Sequence, residues 1–253
     1  TYNLNGGTTA TANRTEFTKE AESFTLVNPT KLGYQFKGWS GTGLTGDENT
    51  EVTVAQHTRQ NLEFEAHYTP NTYNVIFDGN TGAGTMNSQT LTYDQAANLT
   101  ANAFVKTGHH FVSWNTVAEG SDSTYLDGEE VENLRTEGEI TLFAQWEANT
   151  YEIIFDGNHA NLIGTMDNFS MVYGETKTLP LNMFGVLGSA FDNWNTRADG
   201  SGDKYNNGSM VTNLAEQGTV TLYAQWAVTP YTVIYDKNSN EATGAMSSQE
   251  IAY

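Results

Sequence analysis

Five histidines and one dense group of carboxylates are the side chains best suited to acid–base or metal chemistry. The histidines are His57, His67, His109, His110 and His159. The chain contains internal copies of one sequence motif. In two other copies, the residues at the positions of His109–His110 are Tyr34–Gln35 and Ser189–Ala190. A metal site would therefore be confined to one copy, and no G-x-S-x-G nucleophile motif accompanies the histidines. We interpret the pair as ordinary, partly exposed residues at the start of a strand.

The carboxylates are densest between residues 127 and 132. They are Asp127, Glu129, Glu130 and Glu132. Glycosidase chemistry needs two carboxyl groups about 5–10 Å apart across a cleft. In the equivalent positions of the next copy stand Asn207, Ser209, Met210 and Thr212. Because a paired-acid site would not be shared between the copies, the pattern favours a solvated acidic face.

A calcium loop and a covalent crosslink are the two other chemistries that we considered. Residues 199–203 read DGSGD and resemble the first half of an EF-hand loop, but Met210 holds the twelfth position, where such a loop has glutamate. We therefore expect a plain Asp/Gly turn. Lys–Asn crosslinks would need a lysine at a shared position, and Lys106, Lys177 and Lys204 share none. We predict that this protein is not an enzyme and has no catalytic residue, cofactor or metal.

Composition limits the class of protein. The 253 residues include 30 acidic and 11 basic ones, and the formal net charge of −19 argues against nucleic acid and anionic membranes as partners. Absence of cysteine excludes disulfides, thiol catalysis and cysteine-ligated zinc. A 38% hydrophobic and 12% aromatic content is too high for a disordered acidic tail. No apolar run approaches the ~18 residues of a membrane span, so we expect no membrane insertion within this chain.

Internal repetition is the main feature of the sequence. Residues 73–80 read YNVIFDGN, residues 151–158 read YEIIFDGN, and residues 231–238 read YTVIYDKN. TLFAQW at 141–146 likewise returns as TLYAQW at 221–226, which is 80 residues later. The first block is offset by only 78 residues, so two residues are inserted after Asn158. A period of this length is typical of tandem modules.

We divide the chain into four modules. These are a divergent repeat 1 at 1–69, repeat 2 at 70–148, repeat 3 at 149–228 and a partial repeat 4 at 229–253. Thr1 and Tyr253 fall inside predicted strands, so we expect a longer array of which this chain is a piece. The linkers TPNT, EANT and AVTP have four residues each and are too short for flexible tethers. We therefore expect successive modules to be held near one another.

Each module reads as short strands separated by turns. In repeat 2 the alternating segments 73–78, 88–93, 111–115 and 139–146 predict four strands. Residues 101–106 are the one candidate for a short helical turn, with Gly108 as its left-handed C-cap. The recurring tryptophans and tyrosines could form a sugar-binding platform, but their alternation within strands favours a core. The fold class is therefore mostly β, built from small α+β modules.

The shared motif resembles the Listeria–Bacteroides repeat, the B-repeat module of internalin-type surface proteins. The resemblance rests on YxVxFDxN, GxM, SQxxxY, WNTxAxGS and TLYAQW in that order, and it covers essentially the whole chain. It implies tandem β-grasp-like modules of about four strands with one short helical turn. It also implies an extracellular location on a bacterial cell surface, with an anchor outside this chain. The family has no catalytic residues to transfer.

Two functions follow as expectations. The first is a non-catalytic stalk or spacer of an adhesin, whose repeats present a protein–protein interaction surface and contact neighbouring repeats of the same chain. The alternative is a module that binds a glycan or a host receptor, with one copy specialised for the ligand. Partners would then be a host-cell or cell-surface protein or glycan. The acidic segment of repeat 2 and the insertion of repeat 3 are the candidates for that specialisation.

Overall fold

The computed structural model describes residues 1–252, and its regular structure is β throughout. Repeat 1 contains β1 (Tyr2–Asn3), β2 (Phe24–Thr25), β3 (Tyr34–Gly41), β4 (Thr53–Val54) and β5 (Phe64–Pro70). Repeat 2 contains β6 (Thr72–Asp78), β7 (Gln89–Thr92), β8 (Ala97–Asn98), β9 (His109–Asn115), β10 (Thr124–Tyr125), β11 (Glu130–Val131) and β12 (Gly138–Ala148).

The strands of the later part of the chain follow the same sequence of elements. Repeat 3 contains β13 (Thr150–Asp156), β14 (Leu162–Ile163), β15 (Phe169–Val172), β16 (Thr176–Thr178), β17 (Gly185–Val186), β18 (Ser189–Asn195), β19 (Lys204–Tyr205), β20 (Met210–Thr212) and β21 (Gly218–Val228). Partial repeat 4 contains β22 (Tyr231–Val233) and β23 (Gln249–Ile251), which pair antiparallel. The described residues form two compact units: 1–105 with 111–145, and 106–110 with 146–252.

The first unit contains two main sheets built on one plan, and two small two-stranded sheets, β2-β4 and β8-β11. In repeat 1, β5 lies between β1, which runs parallel to it, and β3, which runs antiparallel. In repeat 2 the strand order is β10-β9-β12-β6-β7. Strands β6 and β12, the first and last long strands of the module, are parallel neighbours paired from Tyr73↔Gly138 to Asp78↔Phe143. The centre of the sheet therefore joins the two ends of the module's own chain.

The second unit repeats that plan. Its main sheet has the order β14-β17-β18-β21-β13-β15, with β19 paired to β18. Strands β13 and β21 are again parallel neighbours, from Tyr151↔Gly218 to Asp156↔Tyr223. Alternation explains why these segments form strands: Tyr151, Ile153 and Phe155 are buried on one face of β13, and Glu152 and Asp156 are exposed on the other.

A fully buried tryptophan lies at the centre of each complete core. Trp39, Trp114 and Trp194 each have 0% exposure. Three phenylalanine rings surround Trp194, with centroid distances of 4.8 Å to Phe155, 5.0 Å to Phe191 and 6.2 Å to Phe184. Such tilted and edge-on contacts are the preferred geometries for aromatic rings, and each large ring buries ~150–250 Å². This arrangement places Trp39, Trp114 and Trp194 in the cores, whereas Trp146 and Trp226 are only partly buried.

The predicted helical turn at 101–106 is wrong, and residues 1–252 contain no helix. Local side chains compete with helical hydrogen bonds there. The Asn102 amide oxygen accepts from the Phe104 N–H at 2.9 Å, and the Asp127 carboxylate accepts from the Asn102 N–H at 2.7 Å. Val105 then forms a β-bridge with Ala83. Gly108 does adopt a left-handed φ of +66°, but no helix precedes it.

The mostly-β class and the four main strands of repeat 2 are confirmed. The short strands β8, β10 and β11 were not predicted, because two residues are too few to show a periodic pattern. The β-grasp-like arrangement stays a prediction, since the described crossover between β7 and β9 has no helix. The boundaries 1–69, 70–148, 149–228 and 229–253 also stay a prediction.

We predict that Trp194→Ala destabilises repeat 3 by about 3–5 kcal/mol, because it leaves a large cavity between three phenylalanine rings. Hydrogen exchange of the β13 and β21 amides in the full chain measures the loss. Leu181→Ala is the matched control, since Leu181 is 66% exposed and should change exchange little. Equal effects of the two substitutions would contradict the central role of the tryptophan.

Candidate interaction surface

A buried asparagine at the end of the third long strand holds the polar loop in repeats 2 and 3. In repeat 2, Asn115 is 1% exposed and its amide nitrogen donates to Asp122 O at 2.9 Å. Its amide oxygen accepts from the Val117 N–H at 3.0 Å. Asn195 does the same in repeat 3, where it donates to Gly200 O and Gly202 O. The loops are thus folded by buried hydrogen bonds, as buried amides require.

Two of the four clustered carboxylates in repeat 2 have structural partners. Asp127 accepts from the Asn102 N–H at 2.7 Å, and Glu129 accepts from the Leu126 N–H at 2.5 Å. In repeat 3, Asn207 takes the place of Asp127 and accepts from the Asn182 N–H at 2.8 Å. This position therefore requires a hydrogen-bond acceptor, which an uncharged asparagine also provides, and does not require the negative charge of Asp127. Sequence reasoning missed this role, because the two bonded residues are 25 positions apart.

Glu130 and Glu132 are exposed and leave the acidic segment open to solvent. Their counterparts in repeat 3 are Met210 and Thr212, and Met210 is 71% exposed. Repeat 2 carries 11 acidic and 2 basic residues, so its local charge is 2 − 11 = −9. The two repeats therefore differ in surface charge at this turn. A ligand at this turn stays a prediction.

The histidines are dispersed and have local partners. His109 Nδ1 lies 2.8 Å from Thr107 O, and His110 Nδ1 lies 2.9 Å from Asn149 Oδ1. His57 Nδ1 contacts Lys19 O at 3.0 Å, and His67 Nε2 contacts Ser40 Oγ at 2.6 Å. Adjacent residues of a strand point to opposite faces, which explains the separate partners of the 109–110 pair. Across residues 1–252, no three His, Asp or Glu side chains are grouped to hold a metal ion.

The DGSGD segment forms an Asp-stabilised turn. Asp199 Oδ1 accepts from the Ser201 N–H at 3.0 Å and from the Ser201 hydroxyl at 2.7 Å. Hydrogen bonding by that hydroxyl is the main reason why the pKa of Asp199 lies below its ordinary value. Asp203 is held separately, through its N–H to Thr196 Oγ1 at 2.9 Å. These are the contacts of a local Asx turn, as expected from the sequence.

Of the lysines considered for crosslinking, Lys177 pairs with a carboxylate. Lys177 forms a surface ion pair with Glu175, with Nζ 2.9 Å from Oε2. That contact holds the pKa of Glu175 below its ordinary value. Both side chains are more than a third exposed, and such pairs contribute little to stability.

Comparison with known proteins places these repeats in a family. A model of the Listeria-Bacteroides repeat domain matches residues 1–67, 73–145 and 151–225. The chain belongs to the Listeria-Bacteroides repeat family. The three matches confirm that the resemblance extends to the divergent repeat 1.

Two relatives of this Listeria-Bacteroides repeat chain come from Evansella cellulosilytica. One, named "Putative Gly-rich membrane protein", is 34% identical over 147 residues, which is 57% of this chain and 17% of the relative. The other, named "Putative membrane protein", is 28% identical over 204 residues, which is 79% of this chain and 29% of the relative. The matched stretch is thus less than a third of each relative. Within residues 1–252 there is no helix that is long and apolar enough to cross a membrane.

We predict that Asp127→Asn leaves the stability of repeat 2 within about 0.5 kcal/mol, because Asn207 makes the same hydrogen bond in repeat 3. Asp127→Ala should cost about 1 kcal/mol or more, since the Asn102 N–H loses its acceptor. Chemical denaturation of the full-length variants distinguishes the two. A large loss from Asp127→Asn would show that the charge itself is required.

Proposed function

We propose that this chain is a load-bearing spacer within a bacterial cell-surface protein. The observation that carries the proposal is the parallel pairing of the first and last long strands in repeats 2 and 3. In repeat 3, β13 begins at Thr150 and β21 ends at Val228, and the two strands run side by side in the same direction. The chain therefore arrives at one end of this pair and leaves at the other.

This geometry determines how tension acts on a repeat. A pull on the two ends of repeat 3 slides β13 along β21, so the six paired positions from Tyr151↔Gly218 to Asp156↔Tyr223 are loaded together. An antiparallel pair pulled at its adjacent ends opens instead one hydrogen bond at a time. Each bond contributes only about 1 kcal/mol. Simultaneous loading therefore gives a repeat much greater mechanical resistance than its modest thermodynamic stability suggests.

Other features support the same function. Each complete repeat has its own aromatic core around a tryptophan, and repetition of such modules is a simple way to add length. The net charge of −19 keeps copies of the chain apart. Two relatives are named membrane proteins and are several times longer than the matched stretch, as expected if this chain projects other domains. The adjacent parallel first and last strands also support the β-grasp-like arrangement.

The location and partners form part of this proposal. We assign the chain to the outside of the cell, attached through an anchor in another part of the surface protein. A host-cell or cell-surface protein or glycan is the proposed partner of the whole surface protein. Neighbouring repeats are the proposed partners of each module. The chemistry of the chain needs no cofactor, and we assign it no enzymatic activity.

Single-molecule force measurements test the load-bearing role, and the absence of cysteine allows handles at chosen positions. Thr150→Cys with Thr229→Cys pulls repeat 3 in shear. Ser189→Cys with Ala227→Cys pulls the adjacent ends of the antiparallel pair β18 and β21. We expect the shear pair to unfold at a clearly higher force, although core and sequence are otherwise the same. Equal forces in the two directions would refute the proposed load path.

The alternative function, a ligand-binding module, is favoured by one observation: Glu130 and Glu132 are exposed in repeat 2 and have no acidic counterparts in repeat 3. Our proposal predicts no saturable binding of the full chain to mammalian cells or a glycan array. If binding occurs and is lost in Glu130→Gln with Glu132→Gln, the alternative is correct. Glu137→Gln with Glu139→Gln is the matched control, since it removes the same charge from the same repeat.

A further inference from the structure

A glycine of repeat 1 and a tyrosine of repeat 2 form a close contact within the first unit. Gly33 is buried and has a φ of +74°. A Cβ atom placed there would lie only 2.3 Å from ring carbons of Tyr93. No side chain fits in that space unless the ring moves. The ring of one repeat thus covers the backbone of another.

The linker residue Asn71 adds backbone hydrogen bonds to this contact. Its N–H donates to Gly33 O at 2.9 Å, and its carbonyl accepts from the Tyr93 N–H at 2.9 Å. Its side-chain amide donates to Thr136 O at 3.1 Å. One residue therefore ties the end of repeat 1 to two separate segments of repeat 2. We call the contacts of Gly33, Tyr34, Asn71, Tyr93 and Asp94 the clasp.

Tyr34 completes the clasp with polar and aromatic contacts. Its ring meets Tyr93 edge-on at 5.8 Å, and its hydroxyl donates to Asp94 Oδ2 at 2.7 Å. Asp94 Oδ1 in turn accepts from the Asn133 amide at 2.8 Å. The hydrogen bond from Tyr34 is the main reason why the pKa of Asp94 lies below its ordinary value. Lys31 Nζ stands 3.9 Å from the centre of the Tyr34 ring.

The same geometry recurs in the second unit. A Cβ on Gly108 would lie 2.2 Å from the Tyr173 ring, and the His109 ring meets that tyrosine edge-on at 5.9 Å. Asn149 donates its N–H to Gly108 O and accepts from the Tyr173 N–H, both at 2.8 Å. Thr229 N–H also donates to Gly188 O at 2.9 Å, and the tyrosine expected to accompany it, Tyr253, lies outside the described residues. Residues at equivalent positions therefore form the same contact between repeats 2 and 3 as between repeats 1 and 2.

The ring, and not the backbone angle, explains why glycine stands at these positions. Asparagine tolerates positive φ, and it does so in this chain at Asn80, Asn133, Asn158 and Asn213. A positive φ alone would therefore also admit asparagine at residue 33. The tyrosine from the following repeat excludes it. Glycine and tyrosine are thus matched to each other across a junction.

We propose that the clasp is an interface that makes repeats 1 and 2 fold as one cooperative unit. The partner that this interface fits is the following repeat, which has a tyrosine at the end of the second long strand. In repeat proteins, stability includes an interface contribution from each neighbour, and the clasp supplies that contribution here. The inference concerns coupling between repeats and does not depend on the load-bearing role. The pair Tyr34–Asp94 also distinguishes this junction, because His109 and Gly174 stand at the counterpart positions in the second unit.

A double-mutant cycle in the full chain tests the clasp, with hydrogen exchange read separately in β5 of repeat 1 and β7 of repeat 2. Gly33→Ala should speed exchange about tenfold in both strands, because it displaces the Tyr93 ring. Gly46→Ala is the matched control: Gly46 has a φ of +71° but open space around it. It carries the same backbone strain and should affect repeat 1 alone.

In a Tyr93→Ala background the ring is absent, so Gly33→Ala should then have no larger effect than Gly46→Ala. This loss of additivity is the expected signature of a direct interface. The proposal fails if Gly33→Ala speeds exchange in repeat 1 only, or if its effect persists unchanged without Tyr93. The first result would show that the glycine serves repeat 1 alone, and the second would show that the Tyr93 ring does not couple the repeats.

Tyr34→Phe provides a milder variant that keeps the ring and removes the hydroxyl. The pKa of Asp94, followed by NMR, should rise towards its ordinary value, and an unchanged pKa would refute the pairing. A carboxylate with a depressed pKa stabilises the folded state above its ordinary pKa, and this contribution is lost as pH falls through the depressed value. The protection of the β7 amides against hydrogen exchange should therefore fall less at acid pH in Tyr34→Phe than in the unmodified chain. The titratable groups that face Asp94 are Tyr34 and Lys31, and Tyr93 faces Tyr34.

Discussion

Burial of one tryptophan side chain is the constraint on which each complete repeat depends. Trp39, Trp114 and Trp194 have no exposed surface, and aromatic rings from other strands close around them. The three cores differ in one respect. Trp39 donates its indole N–H to Asn28 at 2.9 Å, whereas Ala103 and Met183 stand at the counterpart positions. The indole N–H groups of Trp114 and Trp194 have no hydrogen-bond acceptor among residues 1–252. An unpaired buried donor costs about 1–3 kcal/mol of stability.

The sheet around that tryptophan combines two kinds of strand pairing with different consequences. The parallel pairs β6–β12 and β13–β21 join distant parts of each module, so the module closes only when nearly its whole length has folded. Antiparallel pairs such as β6–β7 and β13–β15 involve neighbouring segments. The loops that follow β9 and β18 are held by single buried amides, Asn115 and Asn195. A module of this kind can vary its exposed loop residues without altering its core.

The acidic character of the chain has more than one physical role. Asp127 and Glu129 accept hydrogen bonds from the N–H groups of Asn102 and Leu126, respectively. Asp94 binds a tyrosine hydroxyl, and Asp199 closes an Asx turn. Glu130 and Glu132 remain at the surface and contribute to the charge of repeat 2. Composition alone counts all of these carboxylates alike. Only the contacts separate those that hold a turn from those that face solvent.

The amino-acid sequence by itself determined the repeat period, the long strands and the buried aromatic residues, because these follow from spacing and alternation along the chain. It did not determine the structure of residues 101–106. There Asn102 and Asp127 satisfy backbone groups that a helix would otherwise use, and this depends on a segment 25 residues away. Gly108 shows the same limit: its positive φ was expected, but its reason was not. Tertiary structure alone brings the Tyr173 ring over this glycine, 65 residues distant in sequence, and no local pattern can encode such a contact.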